Sequence, residues 1–349
     1  MCDCRKPVAS TKVRRVILAG DVGGTKTRLA LYAPDASPRS PSREHRVASR
    51  DYPSLEAIVL EFLGEDRSLV SGVAIGIAGP VVENHCETTN LPWSMSGASL
   101  GLHLGGPPVR LINDLEATGW GLAHLEPTEL RELQQGKPSR GNRALIAAGT
   151  GLGEALLIWD GAAHRPTASE GGHVDFASRN AFEDELSLWL RAKYQRVSYE
   201  RVLSGAGLAD LYRFLSATSR GAESAAMAEA FATAQDPPAV VSAAALDGSC
   251  ERAVMALDHF VRIYAAEAGN LALKTLSVNG LFIGGGIGPR IATALTGGAF
   301  IDSFCDKGRL APVLRDIPVH LILDDHAALW GAAAFAMMHL SQDRSAPTN

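Results

Sequence analysis

The chain has no excess of positive charge: 33 lysines and arginines stand against 38 aspartates and glutamates among 349 residues, a formal net charge of −5. Without a basic stripe, nucleic acid is not an expected partner, and an anionic ligand has to be held by local chemistry rather than by the field of the whole protein. Cysteine is scarce and odd in number, five in all. Cys86, Cys250 and Cys305 lie far apart, which argues against a disulfide framework and for a reducing compartment. Cys2 and Cys4 form a lone C-x-C, a thiolate pair lacking the two further ligands of a zinc site. Long hydrophobic runs are missing as well. The opening MCDCRKPVASTKVRR has no apolar segment of the secretory type, and the uncharged run of small and apolar residues at 327–338 is too short to cross a bilayer. A soluble, cytoplasmic protein with no membrane partner is expected. Two phosphate signatures are also absent. No G-x-x-x-x-G-K-[ST] occurs, which removes the P-loop, and no G-x-G-x-x-G opens a helix after a strand, which counts against a dinucleotide fold.

What is present is a globular composition, 46% hydrophobic and 20% charged, long enough for about two domains. GDVGGTKTRLALY, residues 20–32, follows an apolar strand. Leu29 and Leu31 then alternate with Arg28, Ala30 and Tyr32, the two-residue period of a return strand, so the stretch predicts a β-hairpin with a glycine tip. ALIAAGTGLGEALLIWDG, 144–161, repeats the plan. Two such hairpins suggest two related halves. PDASPRSPSREHR, 34–46, reads as an exposed excursion, while 71–81 and 109–114 read as buried strands. Strands alternating with helices imply an α/β architecture. Further on, Asn180 with Glu183 predicts a capping box. Val254, Leu257, Val261, Tyr264, Ala268 and Leu271 mark the buried stripe of a long helix ending near Leu276. LFIGGGIGPRI, 281–291, is again strand, glycine turn and helix start, and a closing helix follows from 327, whose Gly331 and alanines permit close packing.

Backbone N–H groups at a glycine turn can converge on an anion, because no side chain keeps the phosphate away. Either tip alone is equally a bland turn. Two tips and a third glycine turn at 284–286 suggest a phosphate clamp. Asp21, at a strand end before the first tip, could hold Mg²⁺ directly or through water, or could serve an Asx-turn. Lys26 could meet phosphate or only solvent. Asn113 and Asp114 end the strand VRLI and open a helix. Asp114 is either a helix cap or the acceptor of a hydroxyl proton in phosphoryl transfer to an alcohol. Glu170-x-x-His173 would suggest a metal site on a helix, but Gly171 and Gly172 disfavour a helix there. A loop presenting Glu and His fits a polyhydroxylated ligand, with a structural histidine as the alternative.

Together these motifs resemble the bacterial glucokinases of the sugar kinase, hexokinase and actin-like ATPase superfamily. The resemblance runs over 16–340 in consistent order: GDVGGTKTRLALY, TTNLPW, LINDLEATG, GTGLGEALL, EGGHVDFA, SYERVLSGAGL and LFIGGGIGPRI. It implies an α/β, actin-like ATPase (ribonuclease H-like) fold with a cleft between two domains. The small one is 14–112, joined by the returning helix 327–341, and the large one is 113–326. It also implies Mg-ATP-dependent phosphorylation of glucose at its 6-hydroxyl. By matching motif, Asn113, Asp114, Glu170, His173 and Glu200 would contact glucose, with Asp114 as base and Asn90 lining the pocket. Asp21, Gly23, Gly24 and Thr25 would serve phosphate and Mg²⁺, as would Gly149, Thr150 and Gly151, while Gly285 and Gly286 would lie near the adenosine of ATP. A homodimer is the expected assembly. Lys26, Leu115, Glu116 and Ala206 depart from the family pattern, and Glu116 is expected to face solvent. The cysteine-rich zinc motif of the related repressor, open-reading-frame and kinase family is missing, and no helix-turn-helix precedes residue 16. The rival readings are a kinase for mannose or an N-acetylated amino sugar, a non-catalytic sugar-responsive regulator, and an ATPase acting on a protein partner.

Overall fold

The computed structural model describes residues 15–88, 91–137 and 139–340; Asn90, Cys2 and Cys4 lie outside them. The chain divides into two compact units, one ending at His124 and resuming at Ala328, the other spanning Leu125–Ala327.

In the first unit, the predicted hairpin is β1 (Val16–Val22) and β2 (Lys26–Tyr32), antiparallel with Val22 opposite Thr27. β3 (Arg43–Ala48) extends it as the far arm of the 34–46 excursion. After α1 (Leu55–Leu63), capped by Ser54, the chain returns through β4 (Val70–Ile77), parallel to β1. A small hairpin, β5 (His85–Glu87) and β6 (Ser94–Ser96), and α2 (Gly97–His103) lead to β7 (Val109–Asn113), parallel to β4. The sheet order is β3-β2-β1-β4-β7. One face buries Leu18, Leu29, Val73 and Ile75 with Leu55, Ile58 and Leu100 of α1 and α2. The other buries Ile17, Ala19, Ala30, Tyr32 and Ala74 under Leu329, Ala332, Ala333 and Ala336 of the closing helix, Ala327–His339. Each large apolar side chain so enclosed contributes on the order of 1.5–3 kcal/mol. α3 (Asp114–Gly121) follows β7 directly and lies against the closing helix. At Gly331 a Cβ would overlap the Ala117 carbonyl and stand 2.6 Å from the Gly121 nitrogen, so only glycine allows this approach.

In the second unit, β8 (Leu130–Gln134) is an edge strand, and the second predicted hairpin is β9 (Arg143–Ala148) with β10 (Leu152–Trp159). β11 (His164–Ser169) pairs with β10, β12 (Leu281–Gly284) runs parallel to β9, and β13 (Val319–Ile322) runs parallel to β12. The order is β11-β10-β9-β12-β13-β8. Between β11 and β12 come α4 (Ala181–Tyr194), α5 (Gly205–Ala217), α6 (Ala225–Thr233), α7 (Pro237–Leu246) and α8 (Glu251–Thr275). Asn180 caps α4 as predicted, but the Glu183 carboxylate returns to the Arg179 nitrogen rather than to that of the cap. The stripe on α8 is buried from Leu257 onward. Val254 departs from it at 41% exposure, because the first turn of α8 buries the side bearing Arg252, Ala253 and Ala256 instead.

Candidate active site

The carboxyl edge of the parallel strands positions the acids of the first unit. Asp21 on β1 is level with Gly76 on β4, and Ile77 is level with Asn113 on β7. Asp21 and Asn113 therefore leave the same edge two strands apart, about 10 Å at the usual interstrand spacing. The first tip is tight: the Gly23 nitrogen donates to the Lys26 carbonyl at 2.9 Å. Ser49 pins it from outside, donating through its nitrogen to the Thr25 carbonyl at 3.1 Å and through its hydroxyl to the Gly23 carbonyl at 2.8 Å. Gly24 and Thr25 stand at the turn itself, and Lys26 is exposed.

The cap of α3 is Asn113. Its Oδ1 accepts from the nitrogens of Leu115 at 2.9 Å and Glu116 at 3.3 Å, and its amide donates to the Gly79 carbonyl at 3.2 Å. That leaves Asp114 as the first helical residue, half-buried, with Oδ1 accepting from the Leu115 nitrogen at 2.9 Å. A carboxylate there is favoured by the unpaired N–H groups of the helix start. Glu116 does not face solvent as expected. It is half-buried, and desolvation pushes its carboxyl above the ordinary range against the opposing bond from Asn113.

In the second unit the tip residues Gly149, Thr150 and Gly151 close β9 onto β10, the Gly149 nitrogen donating to the Gly151 carbonyl at 2.8 Å. The Gly205 nitrogen, at the start of α5, donates to the Gly149 carbonyl at 2.9 Å. The third glycine turn stands beside this tip: Gly284 is level with Ala147, and the Ile287 nitrogen donates to the Ala148 carbonyl at 3.1 Å. Gly285 and Gly286 thus share an edge with the Gly149 tip.

Glu170, His173 and Glu200 meet. His173 Nε2 is 3.9 Å from Glu170 Oε2 and 3.9 Å from Glu200 Oε2, with His173 and Glu170 half-exposed. A 3-10 turn, Gly171–His173, carries the histidine, a single turn at a place where two glycines disfavour a longer helix. It rests on β10 so closely that a Cβ on Gly172 would overlap the Leu152 carbonyl. A second 3-10 turn, Tyr199–Arg201, carries Glu200. The two turns are tied by an antiparallel bridge between Asp175 and Ser198, by the Tyr199 nitrogen donating to the Val174 carbonyl at 3.0 Å, and by the Phe176 and Tyr199 rings packed edge to face. Glu200 Oε2 also accepts from the Leu152 nitrogen at 3.1 Å, which links this cluster to the glycine tip. Two carboxylates and an imidazole within one hydrogen-bonding neighbourhood suit vicinal hydroxyls. Sequence reasoning missed Ser49 as the pin of the first tip, and it missed Glu154 and Glu267, two acids buried under the cluster. A lone acid in the apolar strand GEALLI was the available signal.

Residues 18–339 match the family described as Glucokinase. A glucokinase of Nostoc punctiforme is 40% identical over 336 residues, covering 92% of this chain and 98% of that one. Among solved structures, a glucokinase from an Antarctic psychrotroph superposes with a TM-score of 0.77 at 30% identity, over 92% of this chain and 98% of the other. A ROK family glucokinase from Streptomyces griseus, in complex with glucose and AMPPNP, shares the fold with a TM-score of 0.60 at 21% identity, over 93% and 99%.

Proposed function

The chain belongs to the glucokinase family and has its actin-like ATPase fold, and on that premise we propose how its residues carry the reaction. The activity is that of an ATP-dependent glucose kinase, a phosphotransferase. In our reading, Glu170, His173 and Glu200 hold the sugar hydroxyls, and Asn113 and Asp114 meet the end of the sugar that reacts. The Asp114 carboxylate takes the proton of the 6-hydroxyl as that oxygen bonds the γ-phosphorus. The bond from that phosphorus to the bridging oxygen breaks, and ADP leaves with the electron pair. Backbone N–H groups at Gly24 and Thr25, and at Thr150 and Gly151, offset phosphate charge, with Gly23 and Gly149 spending theirs on closing the two tips, while Gly285 and Gly286 flank the nucleoside.

Mg²⁺ fits this donor set. Asp21 offers one hard oxygen at a strand end, and Mg²⁺ keeps most of its shell for water and phosphate rather than a protein cage. Among the described residues the one group of three such side chains whose ligand atoms all lie within 4.8 Å of one another is Asp324, Asp325 and His326. Bound with ATP, the ion would neutralise phosphate charge.

The observation that carries the reading is the convergence of His173 on Glu170 and Glu200 beside the glycine tip. A coupled assay with ATP, Mg²⁺ and a panel of glucose, mannose and N-acetylglucosamine tests it, with the highest kcat/KM expected for glucose. A higher value for another sugar would reassign the substrate. Thermal stabilisation by glucose without product would point to a regulator, and ATP hydrolysis indifferent to sugar would point to a protein-directed ATPase. No helix among the described residues is long and apolar enough to cross a membrane. A cytoplasmic location and a homodimer go with the reading, and fractionation and sedimentation test them.

A further inference from the structure

Beneath the glutamate-histidine cluster lies an acidic core that the reaction above does not use. Glu154 on β10 is 2% exposed, and Glu267 in the middle of α8 is 0% exposed. Glu267 is supplied with donors, Asn270 Nδ2 at 2.8 Å to Oε2 and Lys274 Nζ at 3.2 Å to Oε1. Glu154 is not: its Oε1 is buried and meets no hydrogen-bond partner among the described residues. The Glu267 carboxyl is close enough to that of Glu154 for the two to share a hydrogen bond once a proton is supplied. Two carboxylates so placed repel, whereas a carboxyl and a carboxylate share a charge-assisted hydrogen bond. Burial first, and then the charge of Glu267, push the Glu154 carboxyl up to about 8, with Lys274 opposing.

The pair supports both turns of the cluster. The Glu154 carboxyl presses on the backbone of Gly171, where a side chain would overlap it. Ser169 Oγ donates to the Glu154 carbonyl at 3.0 Å and accepts from the Gly171 nitrogen at 3.2 Å. On the other side, Asn270 Nδ2, which donates to Glu267, also donates to the Tyr199 hydroxyl at 3.2 Å, one residue before Glu200.

We propose that Glu154 and Glu267 share one proton and that the protonated pair holds the turn bearing Glu170 and His173 in place for glucose, so that Glu154 is a positioning residue and glucose affinity falls in alkali. The inference rests on the assignment of glucose to Glu170, His173 and Glu200. Around the pair stand Lys274, Tyr264 and Asn270 from α8, Ser169 from β11, and Tyr199 from the turn before Glu200. Lys307 donates to Asn270 Oδ1 at 2.7 Å, and Arg179 acts on both Lys307 and Tyr199. Burial raises both phenols above their ordinary range and lowers Lys307. The sign is fixed by linkage. Because the Glu154 carboxyl is raised in the folded protein, its contribution is full in acid, below the ordinary carboxyl range, and lost as the pH climbs to about 8.

Glucose KM and kcat are measured from about pH 7 to about pH 9.5 for the wild type, Glu154→Gln and Glu170→Gln. The wild-type KM is expected to rise on the order of tenfold across that range, with kcat moving far less, because ionising one essential proton weakens binding in proportion. In Glu154→Gln the amide donates to Glu267 without titrating, so its KM is expected to stay flat within about twofold. A flat wild-type profile, or the same rise in both, overturns the inference. An unchanged KM in Glu170→Gln overturns the glucose assignment instead. Infrared spectra of glutamate-labelled wild type provide a readout that does not need the variant to fold. The carbonyl stretch of a protonated carboxyl should be present at neutral pH and vanish with a midpoint near 8, and its absence at neutral pH overturns the inference.

Discussion

The two sheets follow one plan and treat charge differently. Each centres on a glycine-tipped hairpin, with an antiparallel strand beyond the return arm and two parallel strands on the other side, β3-β2-β1-β4-β7 in one and β11-β10-β9-β12-β13 in the other. Each return arm carries one buried charged side chain. In the first, Arg28, 6% exposed, stands 3.5 Å from the opposite charge of Glu44. In the second, Glu154 faces another acid. The site acids differ in the same way. Asp21 sits at the end of β1 and Asp114 opens α3 directly after β7, places set by the first sheet, whereas Glu170 and Glu200 ride on single 3-10 turns that rest on what packs beneath them. Acids at strand ends inherit their position, and acids on turns depend on what packs beneath.

The sharpest way to break the comparison is Asp114→Asn. If the first unit supplies the base, kcat should fall on the order of 10² or more, and near-normal turnover in a saturating coupled assay would remove Asp114 from that role. Next comes Gly331→Ala. The new methyl meets the Ala117 carbonyl, so stability should drop by about 2 kcal/mol, read from urea unfolding, and kcat should fall with it if the closing helix sets α3. Glu170→Gln should act on the other unit's quantity, raising glucose KM on the order of tenfold through loss of a charged acceptor while leaving kcat nearly intact; a loss in kcat alone would erase the division of labour. The smallest effect is expected from Arg28→Met, about 1 kcal/mol of stability, because Glu44 is one-third exposed and water replaces part of the pair.

Much of this was legible in the sequence because it is written in short-range signals. Both hairpins announce themselves by glycine tips and a two-residue period, and Asn113-Asp114 by a polar pair where a strand gives way to a helix. Asp114 is the cap candidate that the sequence offers there, since its side chain can accept from the first turn. The structure gives the cap to Asn113. The convergence of Glu170 and Glu200 on His173 depends on a bridge between segments distant in sequence, and only the family motifs pointed to it. Glu116 and Val254 were misplaced for one reason. A helical wheel shows which residues share a side, while the neighbours decide how many sides are covered: α3 has the closing helix beside it, and the start of α8 is enclosed on the side of Ala253 and Ala256.

The closing helix covers a whole face of the first sheet, and its contribution is made after more than 200 residues of the second unit have intervened. During synthesis on the ribosome, the first unit must therefore wait with Ile17, Ala19 and Tyr32 uncovered until the helix Ala327–His339 emerges. A nascent chain interrupted before residue 327 lacks a finished seat for α3, so Asp114 acquires its setting only when that helix packs, and such a product would be a substrate for chaperones or proteases rather than a half-working kinase.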